Sequence, residues 1–288
     1  MLHLVLALAA PAGAPVPPVL QAAPSPADPA PGDWRDIPDD ELLVMTLKDG
    51  RQVFIRLAAR FAPAHVSNVR KLASEHWWDN ESVYRVQENW VAQWGDATEK
   101  KPLPAGIIAR PPAEFEIGPF EVAQRLPKAD GYSAASGITA DGWPVATDGS
   151  VAWLTHCYGS VGVARDALPD TGTGAELFTP IGQSARRLDR NYTVVGRVIE
   201  GMQYLSALPR SPAPMGVYAT AAERTGIASV RLASELPADE RPRFQYRAAD
   251  NVRYAALIEQ RLHPAAPMVA TGVEVCDLPP GVRRKPEQ

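Results

Sequence analysis

Apolar and polar residues alternate in short runs from residue 41 onward, and this pattern predicts β-strands. Residues 41–47 and 52–57 are β-prone runs separated by Lys48-Asp49-Gly50-Arg51, in which Asp-Gly suits the positive φ of a tight turn. The two runs therefore predict an antiparallel hairpin. Further β-like runs follow at residues 82–86, 90–94, 159–164, 176–181, 192–199 and 227–233.

Two short helices are predicted beside these strands. Pro63 suits the first turn of a helix, and Val66, Val69 and Leu72 fall on one stripe after it. A second helix is predicted at residues 201–208. Many short strands with two covering helices indicate an antiparallel sheet closed into a barrel, because alternating parallel units would need a helix after most strands.

The N-terminal residues differ in composition from the rest of the chain. Residues 2–10 are as apolar as the core of a secretory signal, but no Lys or Arg precedes Arg35. The run is too short to span a bilayer, so residues 1–14 are either a signal segment or part of a cytosolic tail. Eight of the 29 prolines lie between Pro11 and Pro31. Residues 15–36 are therefore expected to form an extended Pro/Ala-rich linker, or alternatively a loop packed on the domain.

Composition also argues against several classes of function. A net charge of −4 provides no field that gathers phosphates, so sequence-independent nucleic-acid binding is not expected. The five histidines share no metal-ligand spacing, and two cysteines cannot build a four-thiolate zinc site. The chain has no Gly-x-Ser-x-Gly elbow and no Gly-rich phosphate loop in the right context. No metal or other cofactor is expected.

Cys157 and Cys276 leave two alternatives open. In an exported chain they can form one bridge that closes a loop of about 119 residues. Otherwise they are two buried thiols that pack as small apolar residues. Spacing alone does not choose between these alternatives.

One segment carries polar residues that simple packing does not explain. Residues 83–96 read Val-Tyr-Arg-Val-Gln-Glu-Asn-Trp-Val-Ala-Gln-Trp-Gly-Asp. Arg85 and Gln93 alternate there with apolar residues on adjacent predicted strands, and polar groups that face an apolar patch usually serve a ligand. The segment resembles the signature of the cyclophilin-type peptidyl-prolyl isomerases, in which an aromatic residue near an Arg is followed, after a spacer, by Phe-Met-x-Gln-Gly-Gly-Asp.

Two later segments resemble the same family in the same order. Residues 159–164 and 173–178 are similar to its Ser-Gln-Phe-Phe region, and residues 188–202 are similar to its Leu-Asp-x-x-His-x-Val-Phe-Gly-x-Val-x-x-Gly-Met pattern. The resemblance implies a mainly β fold, a closed antiparallel barrel with two covering helices over residues 37–236. An irregular insertion, 97–158, is expected to lie over the barrel surface. Residues 237–288 are expected to form a C-terminal extension with one helix at 251–262.

The family resemblance also implies a function. It implies a peptidyl-prolyl cis-trans isomerase, without a cofactor, that acts on proline-containing polypeptides and assists protein folding. By family position, Arg85 is the electrostatic donor, Gln93 holds the substrate backbone and Phe178 walls the proline socket. The remaining positions implied to bind substrate are Trp90, Val91, Ala164, Arg165, Glu176, Leu188 and Tyr192.

Several of these positions depart from the family pattern. Trp90-Val91 replaces Phe-Met, Glu176 replaces a Gln and Tyr192 replaces a His. If Glu176 is ionised, it can pair with Arg85 or Arg165, which would either orient the donor or quench it, and the sequence does not choose between these alternatives. The departures leave an alternative function, a catalytically weak or inactive module that binds prolyl peptides or acts as a chaperone. The protein is expected to be a monomer. It is expected to be periplasmic or secreted, with the cytoplasm as the alternative location.

Overall fold

The structure, a computed structural model, describes residues 25–183, 185–278 and 281–286. The predicted signal segment 1–14 and the linker residues 15–24 lie outside the described residues. The helices are α1 (Pro63–Ser74), α2 (Met202–Ser206) and α3 (Val252–Leu262). The strands are β1 (Trp34–Asp36), β2 (Leu42–Leu47), β3 (Gln52–Leu57), β4 (Ser82–Val86), β5 (Val91–Gly95), β6 (Gln124–Arg125), β7 (Ala135–Ile138), β8 (Pro144–Thr147), β9 (Ala152–Leu154), β10 (Ser160–Val163), β11 (Leu177–Pro180), β12 (Val194–Glu200), β13 (Thr225–Leu232), β14 (Phe244–Arg247) and β15 (Val282–Arg284).

Eight strands close an antiparallel barrel in the order β10-β11-β5-β4-β13-β2-β3-β12. The mainly β class and the closed barrel are therefore confirmed. β2 and β3 form the predicted hairpin, and Gly50 in its turn has a φ of 86°, a conformation that glycine adopts without strain. The other predicted barrel strands are also present, with bounds that differ from the predicted ones by at most two residues.

Side chains alternate along each strand between the inside and the outside of the barrel. The inward side chains fill the core, and the outward ones lie on the outer surface of the barrel. In β5, Ala92 and Trp94 belong to the core, while Val91 and Gln93 point outward. The predicted stripe of α1 closes the barrel, because Val66, Val69 and Leu72 are all buried in the same core. Pro63 occupies the first turn of α1, as expected.

The insertion is not irregular, which corrects the prediction for residues 97–158. It contains a four-stranded sheet in the order β6-β7-β8-β9. This sheet covers the barrel through a cluster that includes Trp143, Val145 and Leu154 from the insertion. Sequence patterns did not reveal the sheet because its strands have only two to four residues, too few for a clear period.

The end of the predicted linker is also structured. β1 pairs with β14, and β14 pairs with β15, so residues 34–36 form one three-stranded sheet with two strands of the C-terminal extension. Asp33 is buried and accepts two hydrogen bonds from Arg253, each 2.6 Å long. Over residues 25–36 the extended linker is therefore wrong, and the alternative of a segment packed on the domain is correct. The extension has its predicted helix, α3, and two strands besides.

A disulfide joins the insertion to the C-terminal extension. Cys157 and Cys276 are bonded, with their Cα atoms 5.2 Å apart. The bridged alternative is thus the one found in the structure. Among the helices that the structure describes, none has the length and apolar character needed to cross a membrane.

Candidate functional site

A cavity of about 390 Å³ opens on the outer face of the barrel beside β4, β5 and β11. Nine of the ten sequence-predicted site residues line it, and Glu176 does not. The nine are Arg85, Trp90, Val91, Gln93, Ala164, Arg165, Phe178, Leu188 and Tyr192. The cavity is also lined by five residues that sequence reasoning missed, namely Tyr84, Glu99, Asp166, Met215 and Val217.

The three residues predicted to be catalytic form a row across neighbouring strands. Gln93 on β5 lies opposite Phe178 on β11 in one direction and opposite Arg85 on β4 in the other. Because residues opposite one another in antiparallel strands have their side chains on the same face, this register places an apolar ring, an amide and a guanidinium side by side.

Arg85 is held by three neutral acceptors. Its Nη1 donates to Gln93 Oε1 at 3.0 Å, and its Nη2 donates to Gln87 Oε1 at 2.8 Å. Its Nε donates to the carbonyl oxygen of Met215 at 2.7 Å. Burial lowers the pKa of Arg85, but arginine is so basic that the guanidinium stays charged. With no carboxylate acceptor among the described residues, its charge is available to the cavity.

A β-bulge brings Tyr84 to the same face. The register of β4 against β5 shifts between Val83 and Arg85, so Tyr84 is the extra residue. Gln93 Nε2 donates to the Tyr84 hydroxyl, while Gln93 Oε1 accepts from Arg85. Simple alternation places Tyr84 and Arg85 on opposite faces, which is why sequence reasoning missed Tyr84.

Glu176 lies behind the polar row rather than in the cavity. Its Oε1 accepts the backbone N–H of Asp96 at 2.7 Å, and its carboxyl group lies beside the Tyr84 hydroxyl. Glycine at position 95 makes room for it, since a Cβ there would lie 2.2 Å from Glu176 Oε2. Burial raises the pKa of Glu176 to about 8.

Neither of the two pairings left open for an ionised Glu176 is found among the described residues. Within the described part of the chain, no ion pair joins Glu176 to Arg85 or to Arg165. The physical reason is desolvation, because a carboxyl group with a raised pKa is mostly neutral near pH 7. Arg165 instead donates from Nε to the carbonyl of Asn191 at 2.9 Å and lies 4.5 Å from the ring of Tyr192.

Aromatic contacts build the apolar part of the cavity. Phe178 is 4% exposed, and the Tyr192 ring meets it at 90° with centroids 5.7 Å apart. At the rim, the guanidinium of Arg187 lies 4.1 Å from the centre of the Trp90 ring. A cation therefore lies over each of two aromatic rings of the wall, Arg165 over Tyr192 and Arg187 over Trp90.

Among the residues that the structure describes, no three or more His, Cys, Asp or Glu side chains are grouped to hold a metal ion. The chemistry that the arrangement supports is electrostatic, a fixed positive donor beside an apolar floor that excludes water.

Comparisons with known proteins give a family match and similar folds. A family model described as cyclophilin type peptidyl-prolyl cis-trans isomerase matches residues 42–231. The crystal structure of cyclophilin AquaCyp293 from Hirschia baltica is similar, with a TM-score of 0.67, 23% identity, and coverage of 88% of this chain and 95% of that chain. A search of curated proteins found no significant match.

Two further solved structures are more distant. Both are of a Cryptosporidium parvum cyclophilin type peptidyl-prolyl cis-trans isomerase, and one was determined in the presence of the dipeptide Ala-Pro. The structure with Ala-Pro has a TM-score of 0.42, 13% identity, and coverage of 66% of this chain and 98% of that chain. The other has a TM-score of 0.42, 14% identity, and coverage of 67% and 96%.

Proposed function

The chain belongs to the cyclophilin-type peptidyl-prolyl cis-trans isomerase family, and we propose that it catalyses rotation about X-Pro peptide bonds in the cavity beside Arg85. The observation that carries the proposal is the row formed by Phe178, Gln93 and Arg85 on adjacent strands. The row combines the buried ring of Phe178, a floor for a proline ring, with the charged donor Arg85. Arg85 donates a hydrogen bond to Gln93, which lies between the two.

The reaction needs no covalent step. Rotation of a prolyl amide loses resonance, a barrier of about 20 kcal/mol that makes the uncatalysed step take tens of seconds. As the C–N bond twists, the nitrogen becomes pyramidal and regains a lone pair. A donor placed at that nitrogen stabilises the transition state more than the planar ground state, and so lowers the barrier.

Arg85 is the proposed donor. Its three contacts to Gln93, Gln87 and Met215 hold the guanidinium plane before substrate arrives, so little reorganisation is needed during the reaction. A lysine would provide the charge without the planar set of N–H groups.

Gln93 and Phe178 are proposed to bind the substrate on either side of the bond. Gln93 donates to Tyr84 and accepts from Arg85, and its amide still has one N–H and one lone pair for a peptide backbone. Phe178, with Val91 and Leu188 beside it, receives the proline ring. The ring displaces water that would otherwise stabilise the planar, more polar amide.

A protease-coupled assay on a peptide with an Ala-Pro bond tests the proposal. We expect isomerisation to accelerate in proportion to protein concentration, and the acceleration to be lost in Arg85→Ala. A parent protein that binds the peptide without accelerating its isomerisation would refute the proposal. That result would favour the alternative, a module that binds prolyl peptides or acts as a chaperone.

We further propose that the protein works as a monomer outside the cytoplasm, on polypeptides that are folding there. The apolar run at residues 2–10 and the bond between Cys157 and Cys276 support export, because disulfides persist in oxidising compartments. Cell fractionation combined with thiol alkylation tests the location. Two freely alkylated cysteines on protein recovered from the cytoplasm would contradict it.

A further inference from the structure

We propose that His156 is a positioning residue for the isomerase site, because it packs against the ring of Phe178 and holds it in place. Residues 274–276 of the C-terminal extension in turn hold His156. The inference rests on the proposed function, because it assigns His156 a role in binding the proline ring. His156 is fully buried and does not line the cavity. It therefore acts through Phe178 rather than on the substrate.

The rings of His156 and Phe178 are nearly parallel. The planes of His156 and Phe178 differ by 6°, and their centroids are 6.1 Å apart, an offset stack. Phe178 thus contacts one ring that does not line the cavity, His156, and another that does, Tyr192. These two contacts determine the tilt of the surface that a proline ring would meet.

One carboxylate fixes the histidine ring. Asp189 Oδ1 lies 3.1 Å from His156 Nδ1 and accepts the backbone N–H of His156 at 2.8 Å. Asp189 Oδ2 accepts from Trp153 Nε1 at 3.1 Å and from Arg186 Nε at 2.6 Å. With four contacts on a buried carboxylate, neither Asp189 nor the imidazole plane has freedom to rotate.

The extension reaches this network at two points. Arg186, whose side chain is 0% exposed, also pairs with Glu274 of the extension. Two residues further on, Cys276 is bonded to Cys157, the direct neighbour of His156. Residues 274–276 therefore connect the segment that carries His156 with the segment that carries Arg186. The cavity residue Leu188 lies on that second segment, two positions after Arg186.

The physical consequence of losing the ring follows from close packing. Removing the imidazole leaves a void behind Phe178, and a ring beside a void samples more orientations than a ring that is packed on both sides. Proline is then bound less well in the ground state and in the transition state alike. Such a loss of uniform binding raises KM and leaves kcat nearly unchanged.

Kinetics of two His156 variants test the inference. His156→Ala should raise KM about tenfold with kcat within about twofold of the parent. His156→Asn keeps an N–H for Asp189 but lacks the ring, so it should raise KM by the same factor. It provides the measurement if His156→Ala fails to fold. Phe61→Ala is the control, because it deletes a buried aromatic ring from the contact between barrel and insertion and should leave KM unchanged.

A spectroscopic readout separates this inference from the proposed function. The chain has six phenylalanines, so the ¹⁹F signal of Phe178 in fluorophenylalanine-labelled protein can be assigned with a Phe178→Leu variant. We expect that signal to shift in His156→Asn and in the double variant Glu274→Gln, Cys276→Ser, but not in Phe61→Ala. The affinity for an Ala-Pro peptide, measured by titration, should fall in the same two variants.

The outcomes are distinct. A folded His156 variant with parental KM, peptide affinity and Phe178 signal would overturn the role of His156. An unchanged signal and affinity in the double variant alone would overturn the role of residues 274–276. If the parent shows no isomerase activity, but the signal and affinity shift as expected, the proposed function fails and the positioning role stands.

Discussion

Replacing Glu176 with Gln should make the protein more stable at alkaline pH. The carboxyl group lies beside Tyr84 and receives the N–H of Asp96, in a space that Gly95 leaves open. Glutamine has the same shape, and its carbonyl can accept the same backbone N–H. The substitution therefore removes the titration and changes the packing little.

The direction and size of the effect follow from the pKa. Burial raises the pKa of Glu176 from 4.5 to about 8, so the folded state disfavours the ionised form. Below pH 4.5 the Glu176 carboxyl group is protonated in both the folded and the unfolded state, and its contribution to stability is fully present. As the pH rises toward about 8, the unfolded chain ionises while the folded chain does not, and stability is lost. Each pKa unit corresponds to about 1.4 kcal/mol, which gives a loss of about 3 kcal/mol between about pH 5 and pH 8.

Urea unfolding of the parent and of Glu176→Gln at pH 5 and pH 8 measures this loss. The difference in unfolding free energy between variant and parent should grow by about 3 kcal/mol in favour of the variant over that range. Glu240→Gln, at an exposed position, is the control and should follow the parent at both pH values. A change below about 1 kcal/mol for Glu176→Gln would refute the buried, neutral carboxyl group.

Three further predictions concern the donor, the floor of the cavity and the bridge. Arg85→Ala should lower kcat/KM about 100-fold with little change in Tm, and Arg85→Lys should not restore activity; parental kcat/KM in either variant would exclude the donor role. Gly162→Ala should lower kcat/KM about tenfold or more in the peptide assay, because a Cβ at position 162 would lie 2.4 Å from Phe178 Cζ; a crystal structure with Phe178 unmoved would contradict this reason. Changing both Cys157 and Cys276 to Ser opens a loop of 119 residues, and should cost up to about 4 to 5 kcal/mol in denaturant unfolding; an unchanged midpoint would mean that the bridge adds no stability.

The barrel was predictable because its signals are local. The hairpin depends on Asp-Gly at a turn, and α1 begins at a proline followed by one apolar stripe. Alternation indicated Arg85 and Gln93 as outward polar residues, and the family resemblance implied the other predicted positions that line the cavity. Once Gln93 faces outward on β5, its neighbours Arg85 and Phe178 are placed by register.

The errors at the site come from contacts that the pattern of one strand does not contain. Tyr84 shares a face with Arg85 because of a bulge, which alternation does not predict. The charge state of Glu176 depends on the burial created by Tyr84, Asp96 and Gly95 around it. Its sequence neighbours carry no information about that desolvation, so the sequence left the charge state and the partner of Glu176 open.

The covering of the barrel explains why the added segments were harder to predict. Arg56 lies on the outer face of β3, where alternation predicts a solvent-exposed side chain, yet it is 5% exposed. Its guanidinium lies 4.9 Å from the ring of Trp143 in the insertion and 4.1 Å from the ring of Tyr246 in the extension. Two segments far apart in sequence therefore meet on one barrel residue.

The same covering determines where the folded unit ends. β2 is buried on both faces, because Leu42 and Val44 on its outer face pack with Phe54 and with Phe244 of the extension. The rings of Phe54 and Phe244 are 5.1 Å apart. The family model matches residues 42–231, but a chain that ended there would expose these outer-face residues to water at an unfavourable free energy. The hydrophobic core of this protein therefore continues past the residues that the family model matches.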